Sequence, residues 1–183
     1  TKIVGEQIIK DCCLANPSLR AISLRYFNPI GAHSSANIGE LPIGVPQNLI
    51  PFITQTAIGI REKLSIFGND YTTPDGTCIR DYIHVCDIAD IHSKVLKKLN
   101  ELNKSIILNC GYSKGVSVKQ VIDEFRKHIG KKNRIIYLPR RKGDMEKITA
   151  DNKKLKKFLN WKPKYGELSK IVKSSLNWEK KFN

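Results

Sequence analysis

Short apolar runs with the pattern of strands alternate along the chain with longer amphipathic runs that have the pattern of helices. The run "LRAISLRYF" alternates like a half-buried strand, and "SIILNCG" is continuously apolar, which is typical of a buried parallel strand. The run "VSVKQVIDEFRKHIG" has helical spacing, with Ser117 and Gln120 in capping-box register and Gly130 at its end. Alternation of this kind predicts an α/β fold with a mainly parallel sheet.

Helical spacing marks five other segments. Val4, Ile8, Ile9 and Cys12 predict a first helix, and "NLIPFITQTAIGIRE" predicts a second. Pro51 falls in the first turn of that second helix, where its missing N–H costs nothing. The helix after "DYIHV" is expected to be capped by an aspartate, Asp87. Two terminal helices are predicted, with these residues facing inward: Leu155, Leu159, Leu168, Ile171, Val172 and Leu176.

The stretch "FGNDYTTPDGTCIRDYIHV", from Phe67 to Val85, concentrates an aromatic residue, two turn signals and an Arg-Asp pair ahead of an apolar run. We expect a tight hairpin here, with Phe67 at one end and Arg80 near the other. The long loop "NPIGAHSSANIGELPIGVPQ" precedes it, and irregular stretches of this length inside compact domains are usually functional.

Charge is unevenly distributed along the 183 residues, whose formal net charge is +15. Residues 1–90 carry a net charge of −2 and residues 91–183 a net charge of +17, mostly from lysine. A basic half is compatible with nucleic-acid binding. The lysines are scattered over exposed helical positions without an arginine run or interleaved aromatics, which favours a solvated surface.

The five cysteines lack the spacing of a zinc site, and an odd count favours reduced thiols in a cytoplasmic protein. We expect most of them to be small core residues. The four histidines lack metal-site spacing, so no metal is expected. The chain starts without Met or a signal pattern and is already helical in pattern at its first residue, so we expect a fragment of a longer protein.

Several motifs together resemble one group of enzymes. The stretches "SLRYFNPIGAHSSANIGE", "PQNLIPFI", "FGNDYTTPDGTCIRDYIHVCDIA" and "RRKGD" are similar to the carboxyl-terminal half of the UDP-glucose 4-epimerases, within the extended short-chain dehydrogenase/reductase family. The resemblance implies a partial Rossmann sheet plus a smaller α/β substrate domain. It assigns residues 1–29 and 86–113 to the NAD-binding domain, and residues 30–85 and 114–183 to the UDP-sugar-binding domain.

The family reaction, as the resemblance implies it, interconverts UDP-glucose and UDP-galactose by oxidation at C4 and re-reduction with bound NAD. A full-length protein of this kind is expected to be a cytoplasmic homodimer without nucleic-acid or membrane partners. The glycine-rich loop and the catalytic tyrosine of the family would precede Thr1. The isolated chain is therefore expected to be inactive.

The resemblance also assigns cofactor residues. Lys2 matches the lysine that favours the phenolate form of the family's tyrosine, and it would also bind the nicotinamide ribose. Phe27 is implied to contact the nicotinamide part of NAD. Tyr26 and Pro29 would line the same part of the site.

The implied substrate site gathers residues from several loops. Phe67 would lie beside uracil, Arg80 and Arg141 would bind the diphosphate, and Asp144 would accept ribose hydroxyls. Ile148 departs from the family, where a bulky tyrosine or a small cysteine or serine is linked to the acceptance of N-acetylated sugars. The remaining implied substrate contacts are Asn28, Asn48, Leu49, Ser65, Ile66 and Tyr82.

Other functions stay open at this point. An epimerase for UDP-N-acetylglucosamine or UDP-glucuronate would share these motifs, although no cation facing a C6 carboxylate is evident. A non-catalytic UDP-sugar sensor would need the same binding residues. A non-enzymatic, basic nucleic-acid-binding module would instead use the lysine-rich half.

Overall fold

The computed structural model describes residues 1–129 and 134–182. Gly130, the expected end of a helix, lies outside the described residues. The six α-helices among the described residues are α1 (Lys2–Ala15), α2 (Leu49–Ala57), α3 (Val85–Lys98), α4 (Val118–Ile129), α5 (Lys153–Leu159) and α6 (Leu168–Phe182), and a short 3₁₀ helix, Leu99–Glu101, follows α3. The strands are β1 (Ile22–Tyr26), β2 (Asn28–Ile30), β3 (Lys63–Phe67), β4 (Ile79–Arg80), β5 (Tyr82–His84), β6 (Ile106–Cys110), β7 (Val116–Ser117), β8 (Arg134–Leu138) and β9 (Lys147–Ile148).

Strand pairing is mainly parallel, and the partners come from distant parts of the sequence. β1 pairs with β6, β2 with β5, and β3 with β8, all in parallel. β4 lies between β7, which is antiparallel to it, and β9, which is parallel. The predicted α/β fold with a mainly parallel sheet is confirmed.

The expected hairpin between Phe67 and Val85 is wrong, because β3 and β4 lie in different sheets. The intervening segment folds on itself through local bonds. The Tyr71 N–H donates to the Gly76 carbonyl at 3.1 Å, and Asp75 accepts from the Thr77 N–H at 3.0 Å. Gly76 has a φ of +75°, and a Cβ there would lie 2.1 Å from the Asn69 carbonyl oxygen, so the turn needs glycine.

Two hydrophobic clusters hold the chain together. The first joins α2, β3, α4 and α6 around the buried side chains of Ile53, Leu64, Phe125 and Val172. The second joins α3, β6 and α5 around Ile91, Leu108, Leu155 and Trp161. Because Tyr112 packs against both, the clusters are continuous there. Helix α5 lies in the second cluster with β6, although the predicted division placed it in the substrate domain; that division stays a prediction.

The capping box of α4 is confirmed. The Ser117 N–H donates to the Gln120 side-chain oxygen at 2.9 Å, and the Gln120 N–H donates to the Ser117 hydroxyl at 3.0 Å. The expected Asp87 cap of α3 is wrong, since His84 precedes the helix and its Nδ1 accepts from the Cys86 N–H at 3.1 Å. The Asp87 carboxylate is buried and accepts from the Tyr112 hydroxyl at 2.6 Å and from the Tyr165 N–H at 3.0 Å.

All five cysteines are free, but the expectation that most are core residues is wrong. Cys78 and Cys110 are buried, Cys13 and Cys86 are half-buried, and Cys12 is exposed on α1. Helix α1 has no buried residue, and its exposed large apolar side chains are Ile3, Val4, Ile8, Ile9 and Leu14. Within the described ranges, every helix is too short or too polar to cross a bilayer.

The buried His84 should make stability sensitive to mild acid. Its ring stacks on Tyr165, and its Nε2 bonds the Ser174 hydroxyl at 3.1 Å. Because Nδ1 accepts the Cys86 N–H at the start of α3, this nitrogen must stay unprotonated. Burial lowers the pKa of His84. The negative charge of Asp87 raises this pKa in part, and the nearby His33 lowers it further. Because the unfolded chain binds this proton more readily, the stabilisation is complete above the usual histidine pKa of about 6.5 and falls as pH drops below it.

Urea unfolding at pH 7.5 and 5.5 measures this effect. We expect the free energy of unfolding to fall at the lower pH, and to fall much less in the His84→Asn variant. Asparagine keeps an acceptor for the Cys86 N–H but does not titrate. Equal pH dependence in the two proteins would contradict the assignment.

Candidate functional site

A cavity of about 470 Å³ opens where the carboxyl ends of β3 and β8 meet the start of α2 and the short strand β4. Parallel pairing places the ends of β3 and β8 together, with Phe67 opposite Leu138. Ligands of parallel sheets bind beyond the carboxyl ends of the strands. Of the residues assigned from sequence, the cavity brings together Asn28, Asn48, Leu49, Ser65, Ile66, Phe67, Arg80, Tyr82, Arg141 and Asp144.

Phe67 forms an aromatic wall of the cavity. It is the last residue of β3, and 37% of its surface is exposed. The Arg141 guanidinium carbon lies 5.0 Å from the centre of the Phe67 ring, within the range of a cation–π contact. Ser65 and Ile66 precede it on β3, which among the described strands pairs with β8 alone. An aromatic face beside a strand therefore borders the cavity.

Asp144 joins the two arginines of the cavity. Its Oδ2 accepts from Arg141 Nε at 2.8 Å, and its Oδ1 lies 3.6 Å from Arg80 Nη2. The Arg80 side chain is 12% exposed and also donates to the Ile79 carbonyl at 2.9 Å, whereas the Arg141 side chain is 56% exposed. Two guanidinium groups at one cavity suit a ligand with two negative charges, since each can offer a fork of donors.

The start of α2 forms the opposite wall. Asn48 precedes the helix, but its side chain donates to Glu40 at 2.6 Å instead of capping the helix. Leu49 is the first helical residue, and the first N–H groups of any helix lack intrahelical partners. Asn28 starts β2 and its N–H donates to the Asp81 carbonyl at 3.0 Å. This wall is suited to an anionic or carbonyl group of a ligand.

Asp81 fixes the strand that carries Arg80, and the sequence did not single it out. The carboxylate is fully buried and accepts from three backbone N–H groups: those of Tyr112 and Ser113, both at 2.8 Å, and that of Ala150 at 3.0 Å. Arg80 therefore does not pair with its neighbour Asp81 but with Asp144. The Arg-Asp pair directly before the apolar run "YIHV" was the available signal.

Tyr82 lies on the core side of the cavity. It is buried in the first cluster, and burial raises the pKa of its phenol. The lining residues that the sequence did not single out for this role are Val45, Pro46, Gln47, Phe52, Leu64, Cys78 and Val118.

Five assigned residues do not line this cavity. Lys2 is the exposed first residue of α1. Tyr26 ends β1, its hydroxyl bonds His92 Nε2 at 2.6 Å, and burial raises its pKa. Phe27 and Pro29 follow β1, and the Phe27 N–H donates to the Cys110 carbonyl at 3.2 Å. Ile148 lies on β9 opposite Arg80. Their roles stay predictions.

Metal ligation has no support in residues 1–129 and 134–182, which contain no group of three or more His, Cys, Asp or Glu side chains able to hold an ion. The side chains that line the cavity include two guanidinium groups, one carboxylate, three carboxamides and the aromatic ring of Phe67.

Similar proteins match nearly the whole of this chain but only about half of their own length. UDP-glucose 4-epimerase GEPI48 from Cyamopsis tetragonoloba is 46% identical over 99% of this chain and 52% of its own length. UDP-glucose 4-epimerase from Erwinia amylovora is 44% identical over 98% of this chain and 53% of its own length. The chain thus spans about half the length of the curated relatives it matches.

Solved structures give the same picture. UDP-glucose-4-epimerase from Stenotrophomonas maltophila, with bound NAD and formylated UDP-arabinopyranose, superimposes with a TM-score of 0.94 at 40% identity, covering 99% of this chain and 54% of that one. The enzyme from Bifidobacterium longum, in complex with NAD⁺ and UDP, gives 0.91 at 41% identity, with 98% and 53% covered. The fold is therefore that of part of a Rossmann-type UDP-sugar epimerase, as predicted.

The family assignment follows from the amino-terminal part of the chain. Residues 1–111, which include α1, the β1–β6 pair and the arginine-bearing strand β4, match the family described as "NAD dependent epimerase/dehydratase family". Together with the relatives above, this match shows that the chain belongs to the NAD-dependent epimerase/dehydratase family.

Proposed function

We propose that this chain is the UDP-sugar-binding part of an NAD-dependent epimerase that interconverts UDP-glucose and UDP-galactose through a 4-keto sugar. The observation that carries the proposal is the meeting of Phe67, Arg80 and Arg141 at one cavity. An aromatic face and two guanidinium groups are what a nucleoside diphosphate requires. The similar structures with bound UDP or UDP-arabinopyranose support the same ligand class.

Each part of the ligand has a matching group in the cavity. The uracil ring would stack beside Phe67 and pair with backbone groups near Ser65 and Ile66. The diphosphate would lie between Arg80 and Arg141, where charge-assisted hydrogen bonds contribute about 1.5–3 kcal/mol each. These contacts anchor the nucleotide while leaving the hexose free to turn over.

Asp144 has a role at each stage of binding. Without ligand its carboxylate bonds Arg141 and neighbours Arg80. When the diphosphate takes over the two cations, the carboxylate is released to accept hydroxyl groups of the ribose. Asn28 and Asn48, at the other wall, would contact the sugar or the diphosphate.

NAD would be held in part by residues of this chain. Lys2, Tyr26, Phe27 and Pro29 are the proposed contacts, and the last three lie at or just beyond the carboxyl end of β1, where parallel strands bind ligands. Since Tyr26 is bonded to His92, its ring rather than its hydroxyl would face the cofactor. The cofactor supplies acceptance and return of a hydride at C4. Lys2 would hold a positive charge near the family's tyrosine, favouring the phenolate.

Titration calorimetry of the 183-residue chain with UDP, UMP and uridine tests the proposal directly. We expect UDP to bind more tightly than UMP and UMP more tightly than uridine, because each phosphate adds bonds to the arginines. Equal affinity for the three ligands, or no binding of UDP, would contradict it. In the full-length protein, turnover of UDP-glucose compared with UDP-N-acetylglucosamine and UDP-glucuronate tests the choice of sugar.

We also propose that the full-length protein is a cytoplasmic homodimer that does not act on nucleic acid or membranes. The exposed apolar side chains of α1 support burial in an interface, and five free cysteines support a reducing compartment. Light scattering of the full-length protein measures its mass, and a monomer would contradict the dimer.

A further inference from the structure

Two consecutive arginines follow β8, and only the second lines the cavity. The first, Arg140, extends to the segment after β3. Its Nε donates to Asp70 Oδ1 at 2.7 Å, its Nη2 donates to the Asp70 carbonyl, and its guanidinium carbon lies 4.2 Å from the centre of the Tyr71 ring. We name Gly68, Asp70, Tyr71 and Arg140 the Arg140 cluster.

The Arg140 cluster is tightly packed although its ion pair is exposed. The Tyr71 ring is buried. A Cβ at Gly68 would lie 2.4 Å from that ring and 3.0 Å from the Arg140 Cγ, and Gly68 has a φ of +80°. The Gly68 N–H also donates to the Leu138 carbonyl at 2.8 Å, continuing the β3–β8 pairing. The backbone around Pro139 is thus held on both sides, by the bond to the Leu138 carbonyl and by the contacts of Arg140.

The Arg140 cluster directly adjoins two residues of the cavity. Phe67 immediately precedes Gly68, and Arg141 immediately follows Arg140. The Arg141 side chain is 56% exposed, and its contacts among the described residues are those with Phe67 and Asp144. A solvent-exposed ion pair alone would hold it weakly. The neighbouring Arg140 cluster therefore restricts the backbone from which Arg141 and Asp144 extend.

We propose that Arg140 is a positioning residue for nucleoside-diphosphate binding: it fixes the 139–146 segment so that Arg141 lies at the diphosphate and Asp144 at the ribose. It acts through Asp70 and Tyr71 and does not contact the ligand. The proposal rests on the proposed function, because it names how that same site is organised. Its physical basis is preorganisation, which reduces the ordering cost at binding.

Arg140→Lys is the informative variant, since lysine keeps the positive charge but lacks the fork and planar stacking of arginine. We expect UDP affinity to fall about tenfold and uridine affinity to fall by less, because uridine would use Asp144 of this segment but not Arg141. Lys142→Ala is the matched control: it removes a charge from the same loop and should leave UDP affinity within about twofold. If Arg140 acted only through its charge, Lys142→Ala would lower UDP affinity more than Arg140→Lys does.

Hydrogen exchange of the free chain provides a readout that needs no ligand. Amides of residues 140–146 should exchange faster in Arg140→Lys than in the wild type, and at the wild-type rate in Lys142→Ala. Unchanged exchange and unchanged UDP affinity in Arg140→Lys would overturn the positioning role. If the wild type fails to bind UDP, the proposed function is refuted, while the exchange rates still decide whether Arg140 orders the segment.

Discussion

Replacing Arg80 with alanine is expected to lower the affinity of the chain for UDP about a hundredfold. Arg80 is the less exposed of the two cavity arginines, so its bonds to a diphosphate compete little with water. Loss of a largely buried, charge-assisted pair of bonds costs roughly 3 kcal/mol, which corresponds to that factor. Titration calorimetry of the purified variant with UDP measures the change.

Three comparisons make this result specific to the diphosphate. Uridine affinity should be unchanged in Arg80→Ala, because the base lies at Phe67. Arg80→Lys should lie between the wild type and Arg80→Ala, since it keeps the charge without the fork. Arg141→Ala should lose only about tenfold, because its side chain is 56% exposed. A loss of UDP affinity smaller in Arg80→Ala than in Arg141→Ala would show that the cation assignment is reversed.

Replacing Asp81 with alanine is expected to destabilise the chain by about 3–5 kcal/mol. The carboxylate is buried and accepts the N–H groups of Tyr112, Ser113 and Ala150. In the alanine variant these three N–H groups would lose their acceptor. These groups connect β4–β5 to the segments after β6 and β9, so the loss spans both hydrophobic clusters. Urea unfolding at pH 7.5 measures the change in the free energy of unfolding.

A matched pair of variants separates this effect from charge loss. Asp81→Asn keeps the shape and one acceptor oxygen, and we expect it to cost less than alanine but still more than about 1 kcal/mol. Asp123→Asn, on the surface of α4 next to Arg126, should change stability by less than about 0.5 kcal/mol. Asp81→Ala within about 1 kcal/mol of the wild type would show that the three N–H groups find other partners.

Much of the fold was predictable because hydrophobic periodicity and caps are local signals. Ser117 and Gln120 lie three residues apart, and their reciprocal bonds form within one turn of α4. The cap of α3 was missed because aspartate is the commoner cap, whereas here three tertiary donors occupy Asp87 and the His84 ring accepts the Cys86 N–H. The expected hairpin failed because β3 pairs with β8, a partner that turn signals cannot indicate.

Much of the candidate site was also predictable. The ten assigned residues that line the cavity came from the resemblance to the UDP-glucose 4-epimerases, whose motifs carry them. Asp81 and Arg140 were missed because their importance depends on partners far away in sequence, Ala150 for one and Tyr71 for the other. Motif resemblance indicated the residues that line the cavity, whereas the residues that position them are determined by tertiary packing.

The pairing of β3 with β8 has a consequence for folding kinetics. The cavity cannot exist until strands from the first and second halves of the chain have met, and such non-local pairing slows folding. A nucleotide that recognises only the completed cavity would act after the rate-limiting step. UDP should therefore slow unfolding and raise the melting temperature roughly with the logarithm of its concentration above Kd, while leaving the refolding rate unchanged.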